Sequence, residues 1–111
     1  MKTSISFDQF QALDIRIGTI TEVVDFNKAH KPAYQLTIDF GDIGLKKSSA
    51  QITALYRKSE LINRQIIALV NIPSRKIADF QSQCLVMGVL GGQGVVLLAP
   101  ESSVPNGSPV A

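Results

Sequence analysis

Three features of the sequence predict an all-β fold class in the form of a small closed barrel. Five or six short strand patterns fit into about 100 residues, turn residues separate them, and only short helical pieces lie between them. The barrel expected at this size is the five-stranded OB-fold, here with an N-terminal helix and short helical turns. A flatter α+β sheet is the alternative.

The chain begins with a helix signal. Ser6 and Gln9 fit a capping box, in which the serine hydroxyl and the glutamine side chain bond to free amide groups at a helix start. A short helix over about residues 7–12 follows. Its apolar face consists of Phe7, Phe10 and Leu13. We expect this face to dock against another surface.

Alternating apolar and polar residues predict the strands. The pattern from Asp14 to Val24 has a period of two, and Gly18 within it indicates a bend. The alternation is clearest over residues 34–40, and a hairpin over residues 28–31 joins these two strands. The other expected elements are a strand at 45–49, a helical turn at 52–56, a buried strand at 65–70, a hairpin whose strands 85–90 and 95–99 flank Gly91–Gly94, and a closing turn in the tail.

Length and composition limit the class of protein. The 111 residues, of 12.0 kDa, make a single domain over residues 1–111, and 45% hydrophobic residues exclude a disordered chain. Cys84 is the only cysteine, and the first residues lack the apolar core of a secretory signal, so we expect a cytoplasmic protein. No apolar run approaches the roughly 20 residues of a membrane-spanning helix, so we expect no membrane span.

Positive charge is concentrated in the middle of the chain. Residues 43–78 contain seven Lys and Arg residues and one Glu, whereas the rest of the chain has four basic and eight acidic residues. Such a block is often a solvated face, but it also suits a polyanionic partner such as a nucleic acid.

The residue types needed for catalysis are missing. Nucleophilic mechanisms usually need a histidine base, and the only histidine, His30, lies in a predicted hairpin loop. Cys84 begins an apolar strand and is expected to be a buried thiol. One Cys and one His cannot form a four-ligand zinc site, and Gly91–Gly94 opens no helix that could hold a phosphate. We therefore expect no catalytic residue, no metal and no cofactor.

Two polar strings follow predicted strands and can bind a ligand. The first, KKSSAQIT, supplies two ammonium groups, hydroxyls and an amide, and the second, NIPSRKIADF, supplies an amide and two further cations. Arg can fork onto a phosphate, while Lys adds a mobile point charge. If the strings meet on one barrel face, they form a polar, basic depression. The candidate RNA- or peptide-binding residues are Lys46, Lys47, Ser49, Gln51, Asn71, Arg75 and Lys76.

These strings resemble a known family. The opening FDQFQALDIRIGTI, the strings LKKSSAQIT and LINRQIIALVNIPSRKIADFQS, and the closing VPNG are similar to the tRNA-binding domain family, most closely to its stand-alone CsaA-type secretion chaperones. The resemblance covers about residues 7–109. It implies an OB-fold, a homodimer and no enzyme activity. By matching motif, the family's polar pocket string corresponds here to Lys46, Ser49 and Gln51. The family's Asn-Pro-Arg-Lys-like string corresponds to Asn71, Arg75 and Lys76.

Two residues depart from the family pattern. Ser74 stands where the family tends to have a second Pro or another residue, so this loop is expected to be less rigid. Asp79 stands where the family commonly has Gly; Asp tolerates a positive φ, but it would place a carboxylate near Arg75 and Lys76. Both departures could weaken phosphate binding.

The resemblance implies two kinds of partner. Relatives appended to methionyl-tRNA synthetases bind structured RNA, and CsaA-type members bind unfolded or precursor polypeptides in protein export. The sequence therefore predicts a non-enzymatic protein that binds tRNA or another structured RNA, polypeptides, or both; a general tRNA-binding protein with no export role is the alternative. The expected homodimer buries the apolar helix face of Phe7, Phe10 and Leu13.

Overall fold

The computed structural model describes residues 1–111 and consists mainly of short strands. The helices are α1 (Phe7–Gln11) and α2 (Lys58–Leu61), with a 3₁₀ turn at Gly41–Ile43. The strands are β1 (Ile15–Asp25), β2 (Tyr34–Asp39), β3 (Leu45–Ala50), β4 (Gln65–Leu69), β5 (Arg75–Ile77), β6 (Phe80–Ser82), β7 (Leu85–Val86), β8 (Gly88–Leu90) and β9 (Val95–Leu97). None of the helices has the length and apolar character that crossing a bilayer requires.

The central sheet is antiparallel and has the order β3-β2-β1-β4-β7. The long strand β1 belongs to both halves of it, because Ile15–Thr19 pair with β4 and Thr19–Asp25 pair with β2. A bulge between Ile20 and Glu22 shifts the register within the half that pairs with β2. A single strand that pairs in this way lets the sheet curl on itself.

Hydrogen bonds between β3 and residues 82–84, which we call the seam, join the two edges of the sheet. The backbone N–H of Lys47 donates to Gln83 Oε1 at 2.9 Å, and the Gln83 N–H donates to the Lys47 carbonyl at 2.7 Å. The Ser49 N–H donates to Ser82 Oγ at 3.0 Å. The result is a nearly closed five-stranded antiparallel barrel with a short N-terminal helix. The predicted OB-fold is confirmed, and the flatter α+β sheet is excluded.

The barrel interior holds one main core. Its fully buried side chains come from β1, β2, α2 and β4, among others. Largest among them are Phe40, Ile20, Leu36, Ile38, Leu61 and Ile66. A smaller core of Phe26, Ala33 and Phe80 lies outside the barrel, between the β1–β2 loop and β6. This second core fixes one side of the candidate site described below.

Several elements match the predicted ones closely. The capping box is confirmed, with Gln9 N–H donating to Ser6 Oγ at 3.1 Å and Ser6 N–H donating to Gln9 Oε1 at 2.8 Å. The three predicted hairpin and tail turns are present, and the tail docks on β1 through the Gly107 N–H, which donates to the Ile17 carbonyl at 2.7 Å. The alternation of burial predicted along β1 is broken at Ile17 and Gly18, which are both buried. Gly18 and Ile20 face the barrel interior, and Ile17, on the opposite face of the strand, is buried as well.

Three local features differ from the prediction. A turn is present at residues 53–55, within the predicted turn at 52–56, but the helix that follows at Lys58–Leu61 was not predicted; there the Arg57 N–H donates to Glu60 Oε1. The string after Asn71 was expected to be a loop, but it forms the β5–β6 hairpin. The strand predicted at 85–90 is split at Met87. The Met87 N–H donates to the Ile67 carbonyl on β4, and the Met87 carbonyl accepts from the Leu98 N–H. The strands β8 and β9 therefore form a hairpin of their own, which we call the hairpin arm.

We predict that Gly18→Ala destabilises the barrel by about 1–3 kcal/mol, because an added methyl group in a packed core forces its neighbours to move. A Cβ at this position would lie 2.6 Å from Ile38 Cγ2 and 2.7 Å from Phe40 Cδ1. Gly91→Ala is the control, since its Cβ would meet only Val89 Cγ1, at 3.6 Å. Urea denaturation measures both variants, and equal stabilities would contradict the close approach of β1 and β2.

Candidate functional site

A cleft of about 750 Å³ opens beside the C-terminal end of β3. The β1–β2 loop and the β5–β6 hairpin line one side of it, and the β8–β9 hairpin lines the other. Residues at the end of β3 and residues 84–87 lie between these two sides. We call this feature the cleft.

The cleft is mainly apolar, which differs from the polar, basic depression expected from the sequence. Thirteen of its 21 lining residues are hydrophobic, and none of them is Phe, Tyr or Trp. Leu90 on the hairpin arm has 88% of its surface exposed, and Leu85 is also exposed. The aliphatic members are Ile52, Ile72, Ile77, Leu85, Val86, Met87, Leu90, Val95 and Leu97. A large aliphatic surface left open to water suits an apolar partner.

Strand geometry places only some of the predicted binding residues in the cleft. Ser49, Gln51 and Arg75 line it, and Ser82 joins them because it is opposite Arg75 in the β5–β6 register. Side chains alternate between the two faces of a strand. Lys46, Lys47 and Lys76 do not line the cleft. The two strings therefore meet, but their cations are divided between the cleft and other surfaces.

These cations have no acidic partner. The four ion pairs of the protein involve Arg16, Lys28, Arg57 and Lys58. Arg75, Lys76 and the two lysines of β3 thus remain available to a ligand, and Lys47 and Lys76 are exposed. Their charge is not neutralised within the chain.

The side chain of Asn71 is engaged with the backbone around α1. Its Oδ1 accepts from the Asp14 N–H at 2.8 Å, and its Nδ2 donates to the Ala12 carbonyl at 2.7 Å. Asn71 therefore ties the end of α1 to the end of β4. The structure places it away from the cleft, whose lining begins at the next residue, Ile72.

The side of the cleft that carries Arg75 is fastened to the β1–β2 loop. The rings of Phe26 and Phe80 lie 5.3 Å apart, and Lys28 Nζ donates to Asp79 Oδ2 at 2.9 Å. This hydrogen bond and the opposite charge raise the pKa of Lys28 and lower the pKa of Asp79. The positive φ of the hairpin lies at Ala78 (53°), so the expectation that Asp79 adopts it is wrong. The Asp79 carboxylate forms its ion pair with Lys28, and the charge of Lys76 also lowers the pKa of Asp79, so the carboxylate lies near one of the two cations as expected.

Cys84 lies at the bottom of the cleft and is buried. Burial raises the pKa of its thiol to about 11, although nearby Lys46 and Ser48 oppose this shift. The thiol is therefore protonated at neutral pH and is a poor nucleophile. The structure also brings together no group of three or more His, Cys, Asp or Glu side chains that could hold a metal ion.

Cleft residues that no sequence motif marked come from two further segments, the β1–β2 loop and the β8–β9 hairpin. His30 and Lys31 line the cleft from the β1–β2 loop, and Leu90 lines it from the hairpin arm. The loop between the first two strands commonly borders the ligand face of an OB-fold, so the predicted fold already contained a signal for His30 and Lys31. No sequence signal separates Leu90 from core residues, since only its exposure distinguishes it.

The apolar face of α1 is exposed in the single chain. Phe7 has 71% of its surface exposed, and its ring lies 6.4 Å from that of Phe10. Ile5 and Leu13 are exposed on the same N-terminal segment. No element of the chain covers these residues.

The sequence of this barrel identifies its family. Residues 15–109 match the model of a family described as a putative tRNA-binding domain. The chain belongs to the tRNA-binding domain family. The resemblance found in the sequence motifs is thereby confirmed.

Two solved structures of chaperones are similar to this chain. The CsaA chaperone protein from Picrophilus torridus has a TM-score of 0.92 and 53% identity, covering 97% of this chain and 100% of that one. The chaperone CsaA from Bacillus anthracis has a TM-score of 0.92 and 45% identity, covering 98% and 100%. The chain is thus similar to these chaperones over its whole length.

The tRNA-binding domain also matches part of a larger enzyme. The methionine–tRNA ligase of Pyrococcus abyssi is 33% identical over 106 residues, which are 96% of this chain and 14% of the enzyme. The chain thus spans about one seventh of that enzyme, and the match is to its appended tRNA-binding domain.

Proposed function

We propose that this protein is a non-enzymatic, CsaA-like binding protein whose cleft takes up apolar segments of unfolded or precursor polypeptides. The observation that carries this proposal is the aliphatic lining of the cleft, with Leu85 and Leu90 exposed to water. The similarity to two CsaA chaperones supports it. A role in protein export is part of the proposal.

The energetics of an open aliphatic cleft fit this function. Full burial of one apolar side chain contributes about 1.5–3 kcal/mol, and ordering an extended chain offsets part of it. Two or three client side chains would therefore give weak, reversible binding. Met87 adds an unbranched, adaptable side chain, which suits variable partners.

A second proposed function is the binding of structured RNA, tRNA first. The unpaired cations Lys46, Lys47, Arg75 and Lys76 and membership of the tRNA-binding domain family favour it. Because the cleft offers no aromatic stacking platform, backbone and shape recognition of a folded RNA fits better than base recognition. A general tRNA-binding protein with no export role is the alternative to the chaperone function.

We propose further that the protein is cytoplasmic and forms a two-fold homodimer. The exposed apolar residues of the N-terminal segment support the dimer, since a small chain rarely leaves such a surface uncovered. A self-complementary patch around Phe7, Phe10 and Leu13 is compatible with two-fold symmetry.

We predict that Leu90→Ser lowers the affinity for a labelled, unfolded apolar peptide about tenfold, since roughly 1.4 kcal/mol of burial is lost. Val89→Ser is the matched control, because Val89 is exposed on the same strand but does not line the cleft. Fluorescence anisotropy measures both variants. Equal losses in the two variants would remove the cleft from the peptide site.

We predict that Lys47→Ala and Lys76→Ala each weaken the binding of bulk tRNA and lower the slope of log affinity against log salt by about 0.7–0.9, if each lysine neutralises one phosphate. Gln51→Ala should not change the slope, because an amide releases no counterion. Lys2→Ala, in the exposed N-terminal segment, is the control for charge alone. Unchanged slopes in folded lysine variants would exclude these residues from the RNA surface.

We predict that sedimentation at micromolar concentration gives twice the 12.0 kDa mass of the chain. The double variant Phe7→Ser, Leu13→Ser should shift the protein to monomer, because the apolar patch is lost. Leu45→Ser removes an equally exposed apolar side chain from β3 and should leave the dimer intact. A 12.0 kDa species alone in the unmodified protein would rule out the homodimer.

A further inference from the structure

The charged residues that line the cleft all have one sign. Arg75 on β5 and Lys31 on the β1–β2 loop line the same cleft, and no Asp or Glu lines it. Neither cation forms an ion pair within the chain. The carboxylate of Asp79, on the turn of the β5–β6 hairpin, is held by Lys28 at 2.9 Å. The cleft therefore presents an uncompensated positive potential beside its aliphatic surface.

Arg75 is held on a well-fastened side of the cleft. Its hairpin is attached through the Phe26–Phe80 ring contact, and its cross-strand neighbour Ser82 accepts the hydrogen bond from the Ser49 N–H. A guanidinium on such a fixed strand can bind a carboxylate with two parallel hydrogen bonds. Lys31 lies on the β1–β2 loop, which lines the same side of the cleft as the β5–β6 hairpin, and its side chain adds a mobile charge.

The lining favours a polypeptide carboxylate over a nucleotide phosphate. An unstacked base gains most of its binding from aromatic side chains, and the cleft contains no Phe, Tyr or Trp. Aliphatic side chains such as Ile52, Ile77 and Leu90 instead pack well against the aliphatic side chains of a polypeptide. The same positive potential disfavours segments that carry Lys or Arg, because like charges repel across a binding surface.

We infer that the cleft selects extended polypeptide segments in which apolar side chains stand next to Asp or Glu, and that Arg75 and Lys31 bind the carboxylate. This inference rests on the proposed polypeptide-binding function and adds the charge pattern of the client. It makes Arg75 a specificity-determining residue of the cleft, whereas its neighbour Lys76 does not line the cleft.

The test uses three labelled peptides with the same apolar centre, flanked by two Asp, two Asn or two Lys residues, and the full chain at low salt. We expect the Asp peptide to bind at least threefold more tightly than the Asn peptide, and the Asn peptide more tightly than the Lys peptide. High salt should reduce these ratios, because the carboxylate pairs are partly exposed. Adenosine monophosphate serves as a competitor to test for a nucleotide site.

Charge variants locate the effect. Arg75→Gln should remove most of the preference for Asp, and Arg75→Glu combined with Lys31→Glu should reverse the order of the three peptides. Lys76→Glu is the matched control, since it changes the same charge on the same strand outside the cleft, and it should keep the original order. Circular dichroism melts verify that these exposed substitutions leave the barrel folded.

The outcomes separate this inference from the function on which it rests. If the three peptides bind equally and Leu90→Ser weakens all of them, the charge selectivity is overturned and the polypeptide cleft stands. If Lys76→Glu alters the order as much as the double variant Arg75→Glu, Lys31→Glu does, the selectivity belongs to the whole surface and Arg75 loses its role. Binding of no peptide overturns both proposals, and displacement of the Asp peptide by adenosine monophosphate at equal concentration assigns the cleft to nucleotides.

Discussion

The seam between β3 and residues 82–84 is the constraint on which the rest of the structure depends. Sheets leave unpaired edges unless they close. Here a short set of hydrogen bonds between Lys47 and Gln83 and between Ser49 and Ser82 brings the two edges of the sheet together. The buried hydroxyl of Ser48 donates to the Cys84 carbonyl at the same place. The seam thus closes the barrel and also fixes the polar residues that face the cleft.

The cleft depends on two hairpins that are separate from the five-stranded sheet. The β5–β6 hairpin is attached by the small core around Phe26 and Phe80, and the β8–β9 arm leaves the barrel where Met87 switches its hydrogen bonds between β4 and Leu98. Each hairpin is short, and neither could form a stable sheet alone. The barrel therefore acts as a scaffold that holds two apolar surfaces apart at a distance that leaves room for a ligand.

Strand alternation gives one basic segment two separate surfaces. Arg75 lines an aliphatic cleft, while Lys76, the next residue, lies outside it on the other face of β5. A polypeptide and a folded RNA need different surfaces, the first mainly apolar and the second mainly cationic. The two proposed partners would therefore use different parts of the same two strings, with Arg75 at the boundary between them.

The sequence by itself determined the fold class, the capping box at Ser6 and most strands, because these depend on local periodicity and turn chemistry. It also located Ser49, Gln51 and Arg75, which adjoin strand ends with a recognisable motif. It could not place the β5–β6 hairpin, whose strands are three residues long, and so it could not separate Arg75, which lines the cleft, from Lys76, which does not. Only the tertiary structure decided that Asn71 anchors α1, that Asp79 pairs with Lys28 and that the site is mainly aliphatic, since each of these contacts joins residues far apart in the chain.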